Sequence, residues 1–196
     1  PSYLALPEAS HQTLVAEMVE VLLHAYDTAS AADGLPIQAV SISFGGVIDA
    51  STGAIVGASP IWGSASEPVH LHGMLAMARP HAEWKIVNDL SAALLSQVDR
   101  FRRDRGRGRL IVVNVGTGIA ARTYDFESES IPADPNTGIQ GEIGHVPVRV
   151  AIDGHAADLV CDCGGSNHLN AFGSGRAMAA VSPNLREDTI LNVATA

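Results

Sequence analysis

The chain has 196 residues, of which 46% are hydrophobic and 17% charged, with 19 Gly, 10 Pro and a formal net charge of -9. That is enough for one large domain or two small ones, and its apolar content excludes wholesale disorder. No apolar run approaches the roughly 20 residues needed to span a bilayer, and the acidic balance argues against a nucleic-acid surface, which needs clustered Lys and Arg.

In chain order, residues 8–32 predict a helix. Leu14, Val15, Met18, Val21, Leu22 and Ala25 recur at helical spacing, and Gly34 and Pro36 end the element. Ile37 to Phe44 reads as a buried strand, followed by Gly- and Pro-punctuated loops and short strands. A second helix is expected over 67–79, a short strand over 83–87, and a third helix from Asn88 to about Phe101. The polar, Gly-rich stretch 102–108 marks a boundary, giving domains 1–104 and 105–196. Leu110 to Tyr124 predicts a hairpin of two apolar strands around a Gly turn. A polar loop over 127–138, a Gly- and Cys-containing segment and a helix over about 168–181 complete the pattern. Alternating strands and helices in both halves indicate an α/β protein.

Four groups of residues carry candidate chemistry. Asn88-Asp89 lies where a strand ends and a helix begins, the edge at which α/β proteins place ligands. An Asp there can accept a proton from a substrate hydroxyl attacking phosphorus. It can equally cap the helix, the commoner role on spacing alone. Gly116, Thr117 and Gly118 join two apolar strands. Such glycines admit a phosphate close to backbone amides, and a plain hairpin turn explains them equally well. His145, Cys161, Cys163 and His168 offer two imidazoles and two thiols, a set suited to structural zinc. One residue between the cysteines strains a disulfide and suits a shared metal. Glu142, between two stretches of Gly and apolar residues, reads as a hydroxyl-binding carboxylate or an exposed loop acid. The basic run Arg100 to Arg109 reads as a helix C-terminus complementing its dipole and then a linker, so nucleic acid is not an expected partner. The N-terminal residues show no basic region followed by an apolar core, so no secretory signal is expected and a reducing cytoplasm is the expected setting.

Five segments in order, SFGGVIDASTG, NDLSAALLS, VVNVGTGIAA, GIQGEIGHVPV and CDCGGSNHLNAFGSG, resemble the ROK family of bacterial sugar kinases, glucokinases among them, and sugar-sensing repressors. The resemblance runs from about Ile37 to Val181 and implies an actin-like, ribonuclease-H-like fold with two lobes around a cleft. It implies sugar bound between the lobes and ATP, with Mg2+, mainly on the second, so that 1–104 is part of a sugar-binding lobe and 105–196 part of an ATP-binding lobe. Asp89 matches the family's catalytic base and Asn88 a sugar-binding neighbour. Glu142 and His145 match hydroxyl-binding residues, His145 also a zinc ligand, and Gly116, Thr117 and Gly118 the phosphate-contacting turn. The implied function is an ATP-dependent kinase of a sugar or cyclitol, with a sugar-sensing regulator or a non-catalytic homologue as alternatives. A homodimer is compatible with it.

Three departures stand out. His168 replaces the family's third zinc-segment cysteine and still offers a ligand. Asn170 replaces a closing glutamate that binds sugar hydroxyls, and an uncharged amide points away from ordinary glucose towards a modified sugar or cyclitol. The family's first phosphate-binding strand and turn do not precede residue 8, and its C-terminal helices do not follow Val181. The chain is therefore expected to be a central piece of a longer protein or a degenerate homologue, weak or inactive alone.

Overall fold

The computed structural model describes residues 8–34, 36–62, 67–105, 107–152, 155–156 and 158–181. They fall into two compact units, residues 1–110 with 124–140, and residues 111–123 with 141–196. The sequence placed one break between 104 and 105; in the structure the hairpin strands are instead shared, and the stretch 124–140 returns to the first unit.

The first unit begins with α1 (His11–Asp33). Ser10 caps it by accepting the Thr13 N–H at 3.1 Å, and Gly34 closes it in the left-handed region at φ 62°. Next come β1 (Ala39–Phe44), β2 (Val47–Ile48), β3 (Ile55–Gly57) and the short helices α2 (Ser59–Trp62) and α3 (Leu71–Ala78). They are followed by β4 (Glu83–Asn88) and α4 (Asp89–Arg105). β1 and β4 pair in parallel, with Ala39 opposite Glu83 and Phe44 opposite Asn88. β2 and β3 pair antiparallel.

The core of this unit collects Leu14, Val15, Phe44, Ile55, Trp62, Val69, Leu71, Leu75 and Trp84. Met18, Val19, Leu22, Leu23 and Tyr26 of α1 pack against it. The helix is rotated relative to expectation: Val21 is 57% exposed, and Ala25 also faces outward. Val19, Leu23 and Tyr26 take their places, since Leu14 and Val15 are adjacent and both buried and their i+4 and i+8 successors share the stripe.

After β2 the chain turns through Asp49. Its carboxylate accepts from the Ser51 and Thr52 hydroxyls and the Ser51 amide, which hold its pKa down to about 2. The Ala50 amide donates to the Gly138 carbonyl at 3.0 Å, tying this turn to the loop beyond the hairpin.

The hairpin is β5 (Arg109–Val115) and β6 (Ile119–Asp125). The expected linker at 102 is helical instead: α4 runs on to Arg105. The basic run also has acidic partners, Arg102 with Glu129 at 3.1 Å and Arg109 with Asp125 at 3.1 Å.

The second unit continues with a 3-10 turn at Ile143–His145, β7 (Ala151–Ile152), β8 (His155–Ala156), α5 (Leu169–Gly173) and α6 (Gly175–Val181). The single helix expected over 168–181 is thus two. Ser174 between them is extended, at φ -75° and ψ 157°, and its hydroxyl accepts the Ala177 N–H. The break lets the Gly175 N–H reach the Gly116 carbonyl at 2.7 Å, a contact a continuous helix would consume internally. No helix among the described residues is long and apolar enough to cross a membrane.

The rotation of α1 has a measurable consequence. Leu14→Ala should destabilise the protein by about 2–5 kcal/mol, the cost of emptying a fully buried leucine site, and Val21→Ala by less than about 0.5 kcal/mol. Urea unfolding midpoints of equal size for the two variants would contradict the packing described.

Candidate functional site

In the first unit, parallel pairing brings the carboxyl ends of β1 and β4 side by side, so Gly45 and Gly46 adjoin Asn88 and Asp89. Asn88 is half-buried and uses both ends of its amide. Its Nδ2 donates to the Gly46 carbonyl at 2.8 Å, and its Oδ1 accepts from the Leu90 and Ser91 amides at 3.0 and 3.1 Å. Asn88, not Asp89, therefore caps α4. Asp89 opens the helix as an exposed residue whose Oδ1 accepts the Leu90 N–H at 2.8 Å. Its Oδ2 lies 3.5 Å from where a Cβ on Gly45 would stand, so the Gly45 backbone passes close beneath the carboxylate. Gly46 has no room for a side chain, because a Cβ there would come within 2.7 Å of both the Gly57 carbonyl and the Phe44 ring.

A pocket of about 290 Å³ adjoins this corner, with Asn88, Ser91, Ile48, Tyr124, Ile131 and Gln140 among its lining residues.

In the second unit, the segment after Gln140 is laid against β6. The Ala121 N–H donates to the Gly141 carbonyl at 3.0 Å. Gly141 has φ 55°, and a Cβ on it would overlap the Ala121 carbonyl, so glycine is required on both counts. The next residue, Glu142, is half-buried and accepts from Arg122 Nη2 at Oε1, 2.8 Å. Arg122 is only 3% exposed and also donates through Nη1 to the Ala121 carbonyl. Sequence reading missed Arg122; its one signal is a lone cation within the otherwise apolar start of β6.

Gly116 N–H donates to Gly118 O at 2.9 Å, closing the hairpin turn, and Thr117 at its tip is exposed. Asn170 sits beside this turn rather than in the open: its Oδ1 accepts the Ile119 N–H at 2.7 Å.

His145, Cys161, Cys163 and His168 converge, with one ligand atom from each lying within 4.8 Å of the others. Cys163 Sγ is 3.2 Å from His168 Nδ1, and Cys161 Sγ is 4.0 Å from His145 Nδ1. Tetrahedral zinc sets N and S ligands roughly 3.3–3.8 Å apart, so these separations fit such an ion after sub-ångström shifts. The cysteines occupy a tight turn in which the Cys161 N–H donates to Gly165 O and the Gly164 N–H to Cys161 O. Burial pushes the Cys161 thiol up from its ordinary value; a divalent cation would oppose this by favouring the thiolate.

The ROK family profile matches residues 4–193. Among curated proteins the chain is 35% identical over 184 residues to a 2-epi-5-epi-valiolone 7-kinase of Actinoplanes sp., covering 92% of this chain and 48% of that protein. It is 31% identical over 146 residues to a C(7)-cyclitol 7-kinase of Streptomyces hygroscopicus subsp. jinggangensis, covering 72% of this chain and 36% of that protein. The chain thus spans about half or less of the curated relatives' length. Among solved structures, a ROK family glucokinase from Streptomyces griseus in complex with glucose and AMPPNP matches with a TM-score of 0.59 and 25% identity, over 86% of this chain and 51% of that one. A ROK hexokinase from Thermus thermophilus matches with a TM-score of 0.61 and 18% identity, over 92% and 57%. The α/β fold is therefore the actin-like fold of these neighbours, spanned in part.

The cap assignment gives a direct test. Asn88→Ala should cost roughly 1–2 kcal/mol, a lost cap plus an unpaired Gly46 carbonyl, whereas Asp89→Ala should cost well under half of that. Thermal unfolding that ranks the two the other way would return the cap to Asp89.

Proposed function

The chain belongs to the ROK family, and from that premise we propose that it is the substrate-binding and catalytic portion of an ATP-dependent kinase acting on a sugar or C7 cyclitol. The observation that carries this reading is the division of labour at Asn88-Asp89. Asn88 caps α4, so the exposed carboxylate of Asp89 is not needed as the cap, and it stands at the sheet edge where α/β proteins hold ligands. There it would take the proton of a substrate hydroxyl as that oxygen bonds to the γ-phosphorus of ATP. The bond from phosphorus to the β,γ-bridging oxygen breaks, and ADP leaves. Magnesium arriving with the nucleotide supplies charge neutralisation at the phosphates.

In the second unit, Glu142 would accept from a substrate hydroxyl. His145 turns Nδ1 towards the sulfur of Cys161, so its Nε2 is the atom left to meet a hydroxyl. Gly116, Thr117 and Gly118 would face phosphate, with the Gly116 amide already spent on closing the turn. Asn170 would contribute through Nδ2. Zinc held by His145, Cys161, Cys163 and His168 would fix the turn carrying Glu142 and His145; its role is rigidity rather than chemistry. A cyclitol substrate is favoured by the similarity to the two cyclitol kinases and by an amide, not a carboxylate, at position 170.

The test is ADP release from ATP and Mg2+ by the natural full-length polypeptide across glucose, amino sugars and cyclitols, 2-epi-5-epi-valiolone included. Turnover should appear with one polyol, and Asp89→Asn should lower it by roughly 10²- to 10⁴-fold with substrate affinity largely kept. A variant turning over at a near-native rate would remove Asp89 from the base role, and ligand binding without any turnover would favour a sensing protein. Protein purified without chelator should hold about one zinc per chain, lost in Cys163→Ser together with thermal stability. Elemental analysis finding no metal in the reduced native protein would refute the zinc site.

A further inference from the structure

We propose that Arg122 is the positioning residue that makes Glu142 a fixed, single-oxygen acceptor for one substrate hydroxyl and so contributes to polyol selection. The proposal rests on the reading of Glu142 as a substrate ligand. Arg122 lies on β6, 3% exposed, where a charge is costly to bury unless paired and hydrogen-bonded. Its guanidinium meets that need in two directions, Nη2 to Glu142 Oε1 and Nη1 to the Ala121 carbonyl, each at 2.8 Å. The planar fork is thereby anchored to the strand at one end and to the carboxylate at the other. The Ala121 carbonyl is also the atom against which Gly141 packs, and the Ala121 N–H bonds the Gly141 carbonyl. Backbone and side chain of the Gly141-Glu142 pair are thus both referenced to the same strand residue and its neighbour.

The chemistry follows from which oxygen is taken. With Oε1 committed to Arg122, the other oxygen remains as acceptor, and Glu142 keeps 21% of its side-chain surface exposed through which to use it. An acceptor held in one rotamer selects a hydroxyl at one position and orientation. An unanchored glutamate would rotate to follow several. Lysine offers the same charge without the fork, so it would hold the carboxylate less firmly.

The experiment is isothermal titration of 2-epi-5-epi-valiolone, glucose and AMPPNP separately against the natural full-length protein and its variants. Arg122→Met should raise the polyol Kd by roughly 10- to 100-fold, as expected on losing a charge-assisted hydrogen-bond network, and leave the AMPPNP Kd within about twofold. Arg122→Lys should recover part of the loss and narrow the preference between the two polyols less than Arg122→Met does. In a Glu142→Gln background the Arg122→Met change should add little, because the two act as one unit. Unchanged polyol binding in folded Arg122→Met overturns the proposal and leaves the kinase reading standing. Loss of polyol and AMPPNP binding together, with a lowered Tm in every Arg122 variant including Arg122→Lys, reduces Arg122 to a structural ion pair and also overturns it. A native protein that binds neither polyol overturns the substrate reading and this inference with it.

Discussion

The carboxamide of Asn88 is the joint that holds together the corner of the first unit where β1, β4 and α4 meet. It bridges two elements distant in sequence, the Gly45-Gly46 turn after β1 and the first turn of α4, by donating to one and accepting from the other. Only a side chain with both a donor and an acceptor can do this, and the parallel register of β1 and β4 sets the spacing it spans. Because Asn88 takes the Leu90 and Ser91 amides, the Asp89 side chain stands exposed at the first turn of the helix.

A comparable economy governs the second unit. Ala121 contributes both backbone groups to the placement of the Gly141-Glu142 turn, and its neighbour Arg122 contributes the side chain. The same turn continues into His145, which belongs to the four-residue His/Cys cluster. Glu142 and His145 thus lie three residues apart on one turn, the first tied to β6 and the second to the His/Cys cluster. The hairpin turn is braced from elsewhere, by Asn170 at the start of α5 and Gly175 at the start of α6.

Much of this was legible in the residues because local chemistry decides it. Gly34 ends α1 as its position predicts, and the two cysteines at C-x-C spacing lie together with His145 and His168. The ordered motifs pointed to the family that the profile match then showed. What stayed hidden was decided by partners far along the chain. The face of α1 depends on a core assembled from β1, α3 and β4, so Val21 could not be told from Val19 by spacing. The break at Ser174 exists for the contact between Gly175 and Gly116, which no helical periodicity encodes. Asn88 and Asp89 are adjacent and both able to cap; the point at which β4 releases the chain chose between them. Arg122 went unremarked because a cation in a strand reads as solvent-facing, and its burial becomes intelligible only with Glu142 in place.

The sharing of the hairpin strands between the two units bears on how the chain is made. The chain leaves the first unit after Leu110, returns to it at Tyr124, and departs again after Gln140. Neither unit is a contiguous stretch of polypeptide, so no single cut releases one of them whole. During synthesis from the N-terminus the first unit stays incomplete until Gln140 has emerged, and by then the whole β5–β6 hairpin is already available. The second unit's opening strand pair can therefore form before the Gly141-Glu142 segment that will be laid against it exists. The hairpin pairing is local, where closing the loop costs little entropy, unlike the parallel pairing of β1 with β4.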